Sequence, residues 1–168
     1  MNAIYPGSFD PPTRGHVSIL NKALTMFDSV TILIAVNPKK DNFLSPQERK
    51  KLWEETIING YVGGPLRAHV RISEDQYTAV VAKELKAPFI IRGLRDSSDL
   101  EQERVLAHVN KLLQPEIETI FLFPDYGLEY ISSSTVRAVL AGKKNWSVST
   151  IQQMVPIPVL EMLAEKFK

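Results

Sequence analysis

Residues 3–16 read AIYPGSFDPPTRGH, and this stretch decides the fold. A short apolar run at residues 3–5 leads into a loop rich in glycine and proline, and the loop leads into a helical pattern. The helix has an apolar stripe at three- and four-residue spacing, made of Val17, Leu20, Ala23, Leu24 and Phe27. Such a strand, loop and helix form the opening unit of an α/β fold, and the stripe predicts the core-facing side of the helix.

The same alternation continues along the chain. Further apolar runs, rich in β-branched residues and separated by helix-length segments, occupy residues 29–36, 69–72, 88–92 and 118–123. Strands that alternate with helices form parallel sheets. The sequence therefore predicts an α/β fold with a Rossmann-like five-stranded parallel sheet flanked by helices, as a single domain over residues 1–168.

Helix boundaries are marked by capping residues. Ser45, Pro46 and Glu48 supply an N-cap, a first-turn proline and a capping-box glutamate, which would turn Leu52 and Trp53 towards the sheet. Weaker start signals stand at Asp75, at Ser97 or Ser98 in a pattern that runs to Leu113, and near Ser134 in a helix that stops at Gly142. We expect a last helix over residues 159–167 and a surface loop over residues 59–65.

Composition excludes several classes of protein. The chain has no cysteine, which removes disulfides, thiolate nucleophiles and cysteine-based zinc sites. A net charge of +1 gives no general attraction to nucleic acid, and the longest strand-like apolar run, residues 30–36, is far too short to span a membrane. With 44% hydrophobic and 23% charged residues, the chain reads as a cytoplasmic enzyme without nucleic-acid or membrane partners.

The loop after the first strand is typical of a phosphate site. Backbone N–H groups and the positive end of the helix dipole favour anions at such a place, and Gly15 would let a phosphate approach closely. The dipole also disfavours protonation of His16, which leaves a neutral ring that can still donate one hydrogen bond. The alternative is an ordinary turn that is capped by Thr13.

Three other predicted strand ends carry groups that suit phosphate. Lys40 follows the second strand, and Arg92 ends the fourth, where a buried arginine needs an anionic partner or a wet crevice. Ser132, Ser133 and Ser134 follow the fifth strand, and they either cap a helix or hold a phosphate. Because the carboxyl ends of parallel strands meet at one edge, the sequence predicts a nucleotide pocket with a second anionic ligand.

Other polar residues are weaker candidates. His69 and His108 are isolated, so we expect a strand-edge residue and a helix residue rather than metal ligands, and no protein-held metal site. Glu101 and Glu103 lie close together on one predicted helix and are interpreted from the local pattern as a solvated face.

Four segments carry a resemblance to a known family. YPGSFDP at residues 5–11, TRGH at 13–16, RGLR at 92–95 and ISSST at 131–135 resemble the bacterial phosphopantetheine adenylyltransferases of the nucleotidyltransferase superfamily. The similarity extends over about residues 3–163, and the RGLR segment is its most specific part.

The resemblance implies an enzyme of coenzyme A biosynthesis. Its reaction would transfer the adenylyl group of ATP to phosphopantetheine, giving dephospho-coenzyme A and pyrophosphate, with Mg²⁺ accompanying ATP and a homohexamer as the assembly. The implied catalytic residues are His16, Lys40 and Arg92, and the implied acceptor contacts are Ser8, Lys40, Thr78 and Arg92. The implied ATP contacts are Ser8, Phe9, His16, Gly93, Leu94, Arg95, Glu103, Leu128, Glu129, Tyr130, Ile131, Ser132, Ser133 and Ser134.

Three departures from the family pattern are Arg14, residues 126–130 and the glycine-rich residues 59–65, and two rival functions stay open. Arg14 stands where neutral residues are common, so it would either contact phosphate or point to solvent, and YGLEY at residues 126–130 makes the adenosine contacts there less certain. One rival is another nucleotidyltransferase, acting on nicotinate mononucleotide or forming a cytidylyl product. The other is a regulatory module that binds ATP without turnover. Lys40 together with residues 92–95 favours the phosphopantetheine acceptor.

Overall fold

A single parallel sheet organises the computed structural model, which describes residues 1–36, 42–142 and 147–166. Its strands are β1 (Asn2–Gly7), β2 (Ser29–Val36), β3 (Ala68–Glu74), β4 (Phe89–Gly93) and β5 (Glu118–Leu122). They lie in the order β3-β2-β1-β4-β5, and each neighbouring pair is parallel. The predicted Rossmann-like sheet is confirmed. The strand order reverses between β1 and β4, and a ligand crevice opens at the carboxyl ends of the strands at such a point.

Helices flank the sheet and also form a layer beside it. They are α1 (Arg14–Met26), α2 (Pro46–Thr56), α3 (Thr78–Glu84), α4 (Ser97–Leu113), α5 (Ser133–Ala141), α6 (Val148–Gln152) and α7 (Ile157–Lys166). A π-helical turn (Ile57–Tyr61) prolongs α2, and a 3₁₀ turn (Pro65–Arg67) precedes β3. The expected surface loop at residues 59–65 is thus only partly irregular: residues 59–61 belong to the π-helical turn, in which Gly60 departs from helical backbone (φ 80°), and residues 62–64 connect the two turns without regular structure. No helix in the described ranges combines the length and apolar character needed to cross a bilayer.

The core confirms the α1 stripe and corrects the reading of α2. All five stripe residues are buried against the sheet, and Trp53 lies in the same cluster. Leu52 instead packs with Val136, Ile151 and their neighbours from the C-terminal helices. Successive residues on an α-helix point about 100° apart, so α2 buries one face on the sheet and an adjacent face on α5, α6 and α7.

Helix starts follow the strongest hydrogen-bond acceptor available. The predicted capping box at Ser45 is confirmed, since its Oγ accepts the Glu48 N–H (3.1 Å) while a Glu48 carboxylate oxygen accepts the Ser45 N–H (2.7 Å). The predicted start of α4 is displaced, because the Asp96 carboxylate accepts the N–H groups of Ser98 and Asp99. An ionised cap suits the positive end of a helix better than a hydroxyl.

Other predicted helix limits shift by a few residues. Asp75 does not begin α3, because its φ of 54° places it in the left-handed region, and the helix starts at Thr78. Ser132 caps α5, so that helix begins one residue before Ser134 and ends ahead of Gly142, as expected. The last helix begins two residues earlier than predicted because Pro158 is accommodated in its first turn.

Candidate active site

A cavity of about 340 Å³ lies where the strand order reverses, at the carboxyl ends of β1, β4 and β5. The N-terminal turns of α1 and α5 close it from two sides. Its volume falls in the range of small-molecule sites. Of the residues expected from the sequence, the wall contains Ser8, Phe9, His16, Arg92, Gly93, Leu94, Arg95, Glu103, Leu128, Ile131, Ser132, Ser133 and Ser134.

Three expected residues are not on this wall. Glu129 and Tyr130 lie in a turn in which Ile131 N–H bonds to the Leu128 carbonyl, and the Tyr130 side chain is 82% exposed. This hydrogen bond brings Leu128 and Ile131 to the cavity wall, whereas the two residues between them lie outside it. Thr78 opens α3, which follows the edge strand β3 rather than the central strands. Lys40, predicted to contact the acceptor phosphate, lies outside the described residues.

His16 is neutral, with its proton on Nε2. The backbone N–H of Thr13 donates to Nδ1 at 3.1 Å, so Nδ1 carries no proton in the neutral ring. Burial, with Arg95 and Arg92 nearby, lowers the pKa of His16 from 6.5 to about 4. The neutral ring that the helix dipole predicts is favoured here by burial first and then by the two nearby arginines. Within the described chain no protein group accepts the Nε2 proton, which is left on a ring that lines the cavity.

The ring of Phe9 packs edge to face against the imidazole of His16. Its centroid lies 5.0 Å from that of the imidazole, edge to face at 87°, and it also contacts Tyr5 and Trp53. Phe9 is 2% exposed, so its ring is part of the core. Only its backbone is free to serve a ligand.

Arg92 is bound on both sides by protein groups. Its Nε donates to Glu103 Oε2 at 2.6 Å, its Nη2 donates to Oε1 at 2.5 Å, and its Nη1 donates to the Pro6 carbonyl at 2.7 Å. The solvated-face interpretation is thus wrong for Glu103, whose side chain is 14% exposed, although Glu101 is exposed as expected. Residues two apart on a helix point about 200° apart, which turns one towards the sheet and the other to solvent.

Two charged residues of the cavity wall, Asp99 and Arg137, were not expected from the sequence. Asp99 accepts two hydrogen bonds from the Arg95 guanidinium (2.8 and 2.7 Å) and one from its N–H, and these bonds hold the pKa of the carboxyl below its usual range. The four-residue spacing of Arg95 and Asp99 was the available signal. Arg137, one turn after the serines, donates to the Asp10 carbonyl and to Ser134 Oγ (3.2 Å).

The serines of α5 cap and anchor the helix while lining the cavity. Ser132 Oγ accepts the Thr135 N–H at 3.0 Å, and Ser133 Oγ donates to the Pro11 carbonyl at 2.8 Å. Ser134 Oγ accepts from Arg137. All three hydroxyls therefore have protein partners. The feature of this segment that remains available to a ligand in the cavity is the N-terminus of α5.

Gly15 and Arg14 hold neighbouring elements together. A Cβ at Gly15 would lie 3.2 Å from the Ile131 carbonyl oxygen, so the glycine allows α1 to approach the turn before α5. Gly15 also lines the cavity, and the close approach of a phosphate there stays a prediction. Arg14 neither points to solvent nor faces the cavity. Its Nε donates to the Val155 carbonyl at 3.4 Å, and its N–H donates to Met154 O at 2.9 Å.

The comparisons with known proteins agree with this architecture. Residues 4–139 match the family model described as cytidylyltransferase-like. A phosphopantetheine adenylyltransferase of Neisseria meningitidis serogroup C is 37% identical over 166 residues, covering 97% of this chain and 92% of its own. The chain belongs to the phosphopantetheine adenylyltransferase family.

Solved structures of more distant adenylyltransferases share the fold. The nicotinic acid mononucleotide adenylyltransferase of Plasmodium falciparum, in complex with NaAD, has a TM-score of 0.70 at 18% identity and covers 99% of this chain and 95% of its own. A bifunctional NMN adenylyltransferase/ADP ribose pyrophosphatase of Francisella tularensis, complexed with AMP and a Mn ion, has a TM-score of 0.63 at 16% identity, covering 92% of this chain and 44% of its own. At these identities the likeness concerns the fold alone.

Proposed function

We propose that this chain transfers the adenylyl group of ATP to the phosphate of phosphopantetheine, forming dephospho-coenzyme A and pyrophosphate. The observation that carries the proposal is a neutral His16, with a proton available on Nε2, in a cavity at the strand-order reversal that Arg92 and Arg95 also line. Family membership over nearly the whole chain supports the same reaction.

The reaction proposed is an in-line displacement. An oxygen of the acceptor phosphate forms a bond to the α-phosphorus of ATP, the bond to the bridging oxygen breaks, and pyrophosphate leaves with the electron pair. No side chain has to gain or lose a proton. Positioning of the reactants contributes roughly 7–11 kcal/mol in well-oriented cases, and the remaining acceleration comes from stabilising charge on phosphoryl oxygens.

His16 and the arginines supply that stabilisation. The Nε2–H of His16 would donate to ATP phosphate oxygens near the N-terminus of α1, and Arg95, which follows β4, would direct a positive charge at the same phosphates. Arg92 and Lys40 would face the acceptor phosphate. Because Glu103 and the Pro6 carbonyl hold the Arg92 guanidinium in place, we assign to Glu103 the role of orienting Arg92 towards the acceptor phosphate.

Magnesium fits this site as a companion of ATP. Among the described residues no group of three or more acidic or histidine side chains converges, and the cavity carboxylates Asp99 and Glu103 are each tied to an arginine. We propose that ATP oxygens and water supply the ligands, which suits the coordination that Mg²⁺ prefers. When bound, the ion neutralises phosphate charge.

We also propose that the chain forms a homohexamer in the cytoplasm. No residue of α4 is buried, and Val105, Val109 and Leu112 form an exposed apolar stripe at i, i+4 and i+7 beside a shallow groove of about 780 Å³. A stripe of this kind is typical of a subunit contact. Sedimentation should show a hexamer for the wild type and smaller species for Val109→Glu. A wild-type monomer at micromolar concentration would contradict the assembly.

One experiment tests the reaction directly. Magnesium-ATP is supplied with phosphopantetheine or with nicotinate mononucleotide in separate assays, and the adenylated product is identified by mass. We expect dephospho-coenzyme A and pyrophosphate from the first assay only. Turnover of nicotinate mononucleotide alone would assign the chain to another acceptor, and ATP binding without product in either assay would favour a regulatory module.

A further inference from the structure

Arg49 is a fully buried charge beneath the active-site loop. It lies on α2 with 0% exposure, and burial lowers its pKa. No ion pair joins it to a carboxylate in the described residues. Asp10 is the acidic group that acts on it electrostatically, but both Asp10 oxygens accept backbone N–H groups of residues 43 and 44 (2.8 Å each).

The contacts of Arg49 are with backbone carbonyls. Nη1 donates to the Ser8 carbonyl at 2.7 Å and Nε donates to the Ser45 carbonyl at 3.3 Å, whereas Nη2 is buried and has no hydrogen-bond partner among the residues that the structure describes. An apolar side chain of similar size often serves at least as well as a buried ionic group where only stability matters. An incompletely paired guanidinium therefore indicates a demand other than packing.

The Ser8 carbonyl sets the direction of the next N–H. In a trans peptide the C=O and N–H groups point in opposite directions, so a Ser8 carbonyl held by Arg49 turns the Phe9 N–H away from α2. No described group accepts that N–H, although Ser8 and Phe9 both line the cavity. Phe9 also has a φ of 50°, which a non-glycine residue adopts only when its surroundings impose it.

We propose that Arg49 is a positioning residue for adenylyl transfer, which fixes the Ser8–Phe9 peptide so that its N–H faces a phosphate group of the nucleotide. Its positive charge, which forms no ion pair within the described residues, lies behind that peptide and adds to the attraction for the anion. This inference rests on the proposed function, because the phosphate in question is that of ATP.

The test uses Arg49→Met, Arg49→Lys and a matched control, Arg67→Met, in the intact protein. Arg67 likewise donates to two carbonyls, those of Leu24 and Phe27 (2.9 and 3.1 Å), but lies outside the cavity wall. We expect Arg49→Met to lower kcat by about 10- to 100-fold per folded molecule, the loss that one charge-assisted hydrogen bond produces. It should melt no lower than Arg67→Met, which should keep wild-type turnover.

Arg49→Lys keeps the positive charge but replaces the planar guanidinium by a single ammonium group. Its kcat should therefore lie between those of Arg49→Met and the wild type. Wild-type kcat and ATP KM in any folded Arg49 variant would overturn the inference. If Arg49→Met does not fold, the kcat of Arg49→Lys decides in the same way. Failure of the proposed function has a different signature, because the wild type itself would then form no dephospho-coenzyme A.

Discussion

The two sides of the cavity use their polar groups differently. On the α1 side, His16 receives a hydrogen bond on Nδ1 and keeps the Nε2 proton for the cavity. On the β4 and α5 side, Arg92 is bound to Glu103, Arg95 is bound to Asp99, and the serine hydroxyls have protein partners. One side therefore presents a free donor, whereas the other presents charges and a helix end that are held in place by their neighbours.

The site therefore contains two kinds of preorganised group, a hydrogen-bond donor without a protein partner in the described residues and charges that are held in position by counter-ions. A donor directed at a developing charge acts through the hydrogen bond that it forms in the transition state, so its loss should appear in kcat. A charge held by a counter-ion acts because it is already in the right place to contact the ligand. Its loss should therefore appear mainly as a larger dissociation constant.

The largest effect is expected for His16→Gln. Glutamine at this third helical position can still accept a hydrogen bond from the Thr13 N–H, as in a capping box. It has no donor at the position that the imidazole Nε2 occupies. We expect kcat to fall on the order of 100- to 1000-fold, with a smaller change in the ATP dissociation constant. Steady-state kinetics and calorimetry measure the two quantities, and near-normal turnover at saturating substrates would remove His16 from the mechanism.

His16→Ala provides the matched comparison for stability. Thr13 is fully buried, so alanine would leave its N–H without an acceptor, at a cost of about 1–3 kcal/mol. Glutamine keeps an acceptor for this N–H, so His16→Gln should stay close to wild-type stability. Equal melting temperatures for the two variants would contradict the hydrogen bond to Nδ1.

The next effect concerns stability against pH. The pKa of His16 is lowered to about 4 in the fold from 6.5, so the unfolded chain binds a proton between these values that the folded chain does not. The stabilisation is present in full above pH 6.5 and is lost as the pH falls towards 4, by about 3 kcal/mol. Urea unfolding at intervals from pH 7 to 4 should show a steeper loss for wild type than for His16→Gln, and parallel curves would contradict the pKa.

Arg92→Lys tests the opposite side. Lysine cannot form the two parallel bonds to Glu103, so the cation loses its fixed position, and acceptor affinity should fall by about 1.5–3 kcal/mol. Arg95→Lys makes the same change at a neighbouring pair and should weaken ATP binding instead. Titration of each variant with phosphopantetheine and with ATP separates the two assignments, and unchanged acceptor affinity for Arg92→Lys would contradict the first.

The smallest effect is expected for Ser132→Ala. This change removes the hydroxyl that caps α5 and should lower stability by about 1 kcal/mol while turnover stays close to wild type. Ser134→Ala is the control, because Ser134 lies inside the helix and is not its cap. A large loss of turnover for Ser132→Ala at full stability would mean that the hydroxyl itself serves the ligand, and that the two sides of the cavity are more alike than their hydrogen bonds indicate.

Local sequence patterns were sufficient to predict those features that depend on one short segment of the chain. The α1 stripe, the Ser45 capping box and the order of strands and helices could be read directly, because side-chain periodicity and capping depend on residues within a few positions of one another. The parallel sheet then brings the strand ends to one edge, which is why most expected site residues do line one cavity.

Pairings between distant elements were decided only in three dimensions. The sequence indicated that Arg92 needs a partner, but the choice of Glu103 depends on how α4 packs beside β4, and the contact of Arg49 with Ser8 joins α2 to the loop after β1. The lowered pKa of His16 likewise depends on burial and on two arginines brought close by the fold. Residue types and periods are local properties, whereas burial, charge proximity and hydrogen-bond partners are set by the packing of elements far apart in the chain.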